Sequence, residues 1–147
     1  MTAELISVGT ELLMGNIVNS NTRFLAEKCA LLGFDMYYQV TVGDNYGRMK
    51  DVIETALKRS DLIILTGGLG PTEDDLTKEV CADVMGMELV EDPHTRKHLE
   101  AFFVNNIYKE IPENNWKMAT VPKGALVLDN HNGMAPGLIL EREGKAA

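Results

Sequence analysis

Apolar runs and polar punctuation alternate along the chain in a pattern that predicts three strand–helix units. Leu5, Ile6 and Val8 make a first strand, which Gly9 ends. Asn19, Ser20 and Asn21 offer caps for a helix running to Leu32, with Leu25, Cys29 and Leu32 at helical spacing and Gly33 as its stop. The period then changes to two, so that Phe34, Met36, Tyr38, Val40 and Val42 share one face of a half-buried strand over 34–42. Asp44 and Asn45 open a second helix, on which Met49, Val52, Ile53, Ala56 and Leu57 form one apolar stripe. The solid run Leu62-Ile63-Ile64-Leu65 reads as a strand buried on both faces. Pro71 and Thr72 signal a third helix, with Thr72 and Asp75 at capping-box spacing, Leu76, Val80 and Val84 inside, and Gly86 at its end. Strand–helix three times over predicts an α/β fold in which helices cover a parallel sheet.

Beyond Gly86 the pattern loosens. Asp92-Pro93 is a cap followed by a first-turn proline and starts a helix with Leu99, Phe102 and Phe103 inside. Pro112 starts a short helix holding Trp116, which, like Tyr108, reads as packing. Ala125–Leu128 and Leu138–Glu141 predict a short β-hairpin around the turn-forming stretch 129–137. No linker divides the chain, so residues 1–147 read as one domain, large enough for a real core.

The net charge of −8 argues against a nucleic-acid partner, because phosphate backbones need a basic face. It leaves room for a small anionic ligand held locally. No apolar run is long enough to span a bilayer, and the chain enters a strand within a few residues, so no membrane and a cytoplasmic location are expected. Cys29 and Cys81 each lie in an apolar helical stripe and read as buried thiols of a reducing compartment.

The most informative chemistry lies in Thr66-Gly67-Gly68-Leu69-Gly70-Pro71-Thr72-Glu73-Asp74-Asp75-Leu76-Thr77. A strand, a glycine turn and a helix N-terminus make a cradle for an anion. It is neither a Rossmann fingerprint nor a Walker loop, since no lysine follows the glycines. Glu73, Asp74 and Asp75 would repel bare phosphate, and a divalent ion between them resolves the conflict. In an open parallel sheet, ligands sit at the carboxyl ends of the strands. Glu11 follows the first strand, Asp44 the second, and Asp74 and Asp75 the third, so three strand ends bring carboxylates to one edge. Asp44 can equally cap the second helix, and acids in a first helical turn complement its dipole. Asn130 to Gly137, with its Gly-x-Ala-Pro-Gly backbone, can lie flat against a ring or sugar, or can be a plain hairpin loop. His94 and His98 are four apart, but no third zinc ligand has suitable spacing. With no convincing nucleophile, metal-assisted attack by water, with carboxylates as ligands and base, is the remaining chemistry.

Gly9-Thr10-Glu11-Leu12-Leu13, Asn19-Ser20-Asn21, Val42-Gly43-Asp44, the 66–77 run, Met118-Ala119-x-Val121-Pro122 and Gly133-Met134-Ala135-Pro136-Gly137 together resemble the N-terminal domain of the competence-damage-inducible CinA family. That domain is similar in turn to the molybdopterin-binding domains. The resemblance implies a three-layer α/β/α fold with a mostly parallel sheet. It also implies metal-dependent hydrolysis of ADP-ribose to AMP and ribose 5-phosphate, with a small phosphorylated, nucleotide-like ligand and a divalent ion (Mg, Mn or Co). Carried over, it makes Glu11, Asp74 and Asp75 catalytic and gives the metal to Glu11, Asp44 and Asp75 (or Asp74). It gives ligand contacts to Thr10, Thr66, Gly67, Gly68, Gly70 and Thr72, and to Asn130, Gly133, Pro136 and Gly137. Met134 stands where the family often has threonine. A pterin phosphate in molybdenum-cofactor biosynthesis, or a non-catalytic binding fragment, are the alternatives. The family's further strand and Leu-Pro-Gly-x-Pro loop do not follow Gly144, so a domain truncated at its C-terminal end is expected. An exposed sheet edge and apolar surface would follow. With relatives commonly oligomeric, a homo-oligomer, dimer or larger, is expected, meeting through Phe102 to Trp116.

Overall fold

The protein is described from a computed structural model covering residues 1–105 and 110–147. Tyr108, and the middle of the stretch from Phe102 to Trp116, lie outside the described residues. The chain runs β1 (Thr2–Val8), α1 (Thr10–Leu13), α2 (Ser20–Leu31), β2 (Asp35–Val42), α3 (Tyr46–Arg59), β3 (Leu62–Thr66), α4 (Thr77–Val84), β4 (Leu89–Glu91) and α5 (Pro93–Asn105). A 3-10 helix (Glu113–Ala119) and five short strands follow: β5 (Thr120–Pro122), β6 (Leu126–Leu128), β7 (Gly137–Ile139), β8 (Glu141–Arg142) and β9 (Lys145–Ala146).

The main sheet has the order β2-β1-β3-β9-β8. β1 is parallel to both neighbours, Ile6 standing opposite Val40 on one side and Leu65 on the other. β9 joins β3 in parallel, pairing at Leu62 and Ala146, and β8 is antiparallel to β9. With β1 between β2 and β3, the β1–β2 and β2–β3 connections run in opposite directions across the sheet, which for the right-handed crossovers that parallel strands adopt puts α2 and α3 on opposite faces. β1 is accordingly buried on both faces over six consecutive residues. The edge strand β2 buries Val42, with Met36 and Val40 half covered, while Tyr38, expected on the same face, is 43% exposed. The main core gathers Ile6, Val8, Met49, Ile53, Ile63 and Val80 between sheet and helices. A second, smaller one unites Leu99 of α5 with Met118 and Ala119 of the 3-10 helix.

Glu4 is the exception within β1, a carboxylate with no solvent exposure. A buried charge needs partners. Here Arg59 donates to it twice, at 3.0 and 2.6 Å, and the Ser60 hydroxyl once at 3.1 Å. The Arg59 guanidinium also covers the Tyr38 ring at 3.6 Å.

Several elements depart from the pattern-based expectation. The loop after β1 contains the short helix α1. α2 closes at Leu31, and Leu32, expected inside, is 72% exposed beyond it. α4 begins at Thr77, not near Thr72, because Thr72 and Asp75 close a turn of their own ahead of the helix. β4 and β5, which pair antiparallel, and the return of β9 to the main sheet carry no periodic signal at two or three residues each. The hairpin of β6 and β7 forms as expected. Phe103 and Leu99 are buried on α5, and Trp116 is half buried beneath the Arg96 guanidinium at 4.4 Å. Both cysteines are free and buried, and burial pushes the Cys81 thiol up to about 12.

Candidate functional site at the carboxyl edge of the sheet

The chain passes from β1 to β2 on one side and then returns from β2 past β1 to β3 on the other, so the crevice between the carboxyl ends of β1 and β3 is the point where strand order reverses. In open α/β sheets that is where ligands are taken up. A cavity of about 150 Å³ lies there, lined by Val8, Glu11, Asn19, Ser20, Thr66 and Gly67, with Asn21 at its wall.

Two glycines allow β3 to turn there. A Cβ on Gly67 (φ 94°) would stand 2.1 Å from the Val8 carbonyl oxygen, and one on Gly68 (φ 66°) would stand 2.2 Å from the Thr77 hydroxyl. The Thr77 hydroxyl donates to the Gly67 carbonyl at 2.7 Å, and its amide donates to the Gly68 carbonyl at 3.0 Å. The start of α4 is thus bolted to the glycine turn, and the Thr77 amide is committed to it.

Glu11 lies exposed in the first turn of α1 and faces the crevice. The α1 N-cap position is Gly9, which has no side chain to cap with. Asp44 does it from the next strand end, accepting from the Thr10 amide at 2.8 Å and hydroxyl at 2.9 Å. The cap expected of Asp44 therefore serves α1, while α3 is capped by Asn45, which accepts from the Arg48 amide at 3.1 Å. Asn19 caps α2 through the Thr22 amide at 3.2 Å and donates to Ser7 at 2.8 Å, which fixes the rim of the crevice.

The acids after the glycines form a separate turn. Asp75 accepts from the Thr72 amide at 2.9 Å and hydroxyl at 2.5 Å. Burial works against its charged form, but those bonds, the Gly70 amide and the Lys117 charge outweigh it and hold the carboxyl below the usual range. A Cβ on Gly70 would stand 2.6 Å from that carboxylate. Glu73 and Asp74 are exposed.

The stretch Asn130–Gly137 belongs to a third neighbourhood. Asn130 closes its own loop, donating to the Ala135 carbonyl at 2.8 Å and accepting from the Asn132 amide at 3.0 Å. His98 bonds the Gly133 carbonyl at 3.2 Å, and His94 pairs with Asp129 at 2.6 Å. Pro136 stands at that same corner against α5. Gly137 alone reaches toward the glycine turn, lining an apolar groove of about 310 Å³ with Leu69, Thr77 and Leu138.

The edge thus brings Glu11 together with Thr66 and Gly67, and Thr10 with Asp44, while Gly70, Thr72 and Asp75 organise their own turn and Asn130, Gly133 and Pro136 sit against α5. Among the described residues no three His, Cys, Asp or Glu side chains are grouped to hold a metal ion. Glu11, Asp44 and Asp75 therefore do not form a ready-made cage in this chain. Asn19, Ser20 and Asn21, which the sequence offers as helix caps and as one of the family's motifs but not as ligand contacts, line the crevice; their place just beyond the same strand end as Glu11 is the signal that points there.

A sequence profile described as "Probable molybdopterin binding domain" matches residues 4–146. The chain belongs to this molybdopterin-binding domain family. Its CinA branch is supported by the crystal structure of CinA from Thermoplasma acidophilum, 32% identical with a TM-score of 0.87 over 99% of this chain and 84% of that one. A "Putative competence-damage inducible protein" of Caldicellulosiruptor bescii is 55% identical over 147 residues, all of this chain and 36% of that protein. One from Clostridioides difficile is 52% identical over 145 residues, 99% of this chain and 34% of that protein. The chain spans about a third of the length of these curated relatives. The molybdopterin biosynthesis enzyme MoaB from Thermus thermophilus shares the fold, with a TM-score of 0.62 at 16% identity over 99% of this chain and 77% of that one.

Proposed function

We propose that the crevice between β1 and β3 takes a nucleoside diphosphate sugar of the ADP-ribose type and hydrolyses its pyrophosphate to AMP and ribose 5-phosphate. The observation that carries this reading is the crevice itself: a carboxylate, four small polar residues and a glycine turn meet, beside Leu12, Ile17 and Val18, where strand order reverses. The acidic surroundings set the form of the substrate. Glu11, Glu73 and Asp74 would repel a bare diphosphate, so the ligand arrives as its complex with a divalent ion (Mg, Mn or Co). Such ions keep phosphate oxygens and waters as ligands and need only one or two protein carboxylates, which suits an edge with scattered acids.

Within this frame each residue has a task. The Gly67–Gly68 backbone, free of Cβ atoms, lets the diphosphate approach. Thr66, Ser20 and Asn21 would donate to its oxygens from the crevice wall, and Thr10, locked to Asp44, would keep α1 in place so that Glu11 faces the ligand. Water attacks one phosphorus, its proton passes to the Glu11 carboxylate, the bridging P–O bond breaks, and the second phosphate leaves with its sugar. One water is consumed for each AMP and ribose 5-phosphate formed. A homo-oligomer, dimer or larger, is proposed with this activity.

Incubation with ADP-ribose and Mg, Mn or Co ions is expected to release AMP, and Glu11→Gln is expected to abolish release while binding persists. AMP formation by Glu11→Gln at the parent rate would remove Glu11 from the chemistry. The second reading, a pterin phosphate in the same crevice, is favoured by the family profile over 4–146. Titration separates the two, since micromolar pterin binding with no ADP-ribose binding would reverse the order.

A further inference from the structure

We propose that Lys117 is a positioning residue, whose ammonium ties the carbonyls of Thr72 and Asp75 together and so fixes the acid turn 71–76 against the glycine loop. Its functional consequence rests on the reading of the sheet edge as a diphosphate site; the tie itself does not. Lys117 comes from the 3-10 helix, an element remote in sequence from β3 and α4. Its Nζ donates to the Thr72 carbonyl at 2.7 Å and to the Asp75 carbonyl, and lies 3.9 Å from Glu79 Oε1.

The turn needs such a tie. It carries Glu73, Asp74 and Asp75 in succession, and like charges at this spacing push a turn open. It is not part of a helix, because α4 begins at Thr77 and its N-cap, Leu76, offers no side-chain bond. The Asp75 carboxylate organises the turn from inside, through Thr72. Lys117 does so from outside, and it is a cation that also offsets the three acids.

The origin of the lysine arm is itself fixed. The Lys117 carbonyl accepts from the Thr120 hydroxyl at 2.7 Å and from the Lys78 ammonium, which is only 6% exposed on α4. Two lysines therefore stitch in opposite directions, Lys78 from α4 to the 3-10 helix and Lys117 from that helix back to the turn. An ammonium with three rotatable donors suits two converging carbonyls better than a planar guanidinium does. Hence Lys117→Arg keeps the charge and recovers part of the tie, and Lys117→Met keeps the stem and loses all of it.

Amide hydrogen exchange of the free chain reads the tie without any assumption about activity. In Lys117→Met, exchange within 71–76 is expected to speed up by about tenfold or more, the effect of losing charge-assisted bonds, while β1 and β3 stay protected. Lys117→Arg is expected to fall between that variant and the parent. Lys123→Met, which removes an exposed lysine paired with Glu88, is expected to change nothing. With ADP-ribose, Lys117→Met is expected to lower kcat about tenfold with a much smaller change in KM, because the acids that favour the metal-complexed form of the substrate are displaced while the crevice is kept. If Lys117→Met does not fold, Lys117→Gln is read in its place. Unchanged exchange over 71–76, or acceleration spread evenly through the sheet, overturns the proposal. A parent chain that hydrolyses no ADP-ribose, together with loosening confined to 71–76, upholds the tie and defeats the hydrolase reading instead.

Discussion

Replacing Gly67 by alanine tests whether the glycine turn shapes the crevice by necessity. At φ 94° the new side chain enters a left-handed backbone region, which costs roughly 1–2 kcal/mol for an L-residue. Its Cβ would also stand 2.1 Å from the carbonyl oxygen of Val8, at the end of the neighbouring strand β1. That oxygen belongs to backbone and has no rotamer to yield, so the turn must move away from β1, at a further cost of about 1–3 kcal/mol. The sum is about 3 kcal/mol, which for a domain of this size lowers Tm by roughly 10 °C. Two companions grade the series. Gly68→Ala meets the Thr77 hydroxyl at 2.2 Å, a group that can rotate but would release the Gly67 carbonyl, so about 2 kcal/mol is expected. Gly15→Ala has φ 71° with nothing within 4 Å and carries only the backbone term, about 1 kcal/mol. Thermal and urea unfolding of the three variants give the ranking, and calorimetric titration with ADP-ribose shows whether the crevice closes in step. Equal stability of Gly67→Ala and Gly15→Ala would refute the reasoning, because the contact with Val8 is the main difference between them.

Other consequences are simpler to state. Asp75→Asn keeps the shape but weakens acceptance from Thr72, so stability should fall by about 1 kcal/mol, as for a lost cap; an unchanged rate across a metal titration would confine Asp75 to organising its turn. The His94 pKa is raised, first by its hydrogen bond to Asp129 and then by that carboxylate's charge. Its contribution to stability is therefore complete below the unfolded histidine value and is lost as pH rises through the higher folded value. Unfolding measured across that window should lose this slope in His94→Gln, and a parent already flat there would dismiss the pair. Sedimentation at micromolar concentration checks the proposed homo-oligomer, and a sharp monomer would remove it.

What the sequence reveals follows from how far each element depends on its own residues. β1, β3, α3 and the glycine turn were legible because apolar runs, a 3.6-residue stripe and left-handed backbone each leave a local mark, although β3, expected to be buried on both faces, buries only Ile63 and leaves Leu62, Ile64 and Leu65 half covered along an apolar groove. The carboxyl edge was legible for the same reason, since parallel strands that are read correctly must end together. What was not legible depends on remote partners. Asp44 reads as a cap for the helix that follows it, yet it caps α1, and only the pairing of β1 with β2 brings the two together. Thr72 and Asp75 have the spacing of a capping box, and their hydrogen bonds form, but the turn they close is held by Lys117 from 42 residues further on and no helix follows at once. A side chain reaching across such a separation leaves no periodicity and no motif in a single sequence. The expected metal site shows the same limit from the other side. The three strand ends carry Glu11, Asp44 and Asp75, and Asp44 and Asp75 each also accept hydrogen bonds from a neighbouring turn through one carboxylate oxygen. Spacing alone can bring acids to an edge; which helix or turn each of them also organises is decided by contacts that a single sequence does not show.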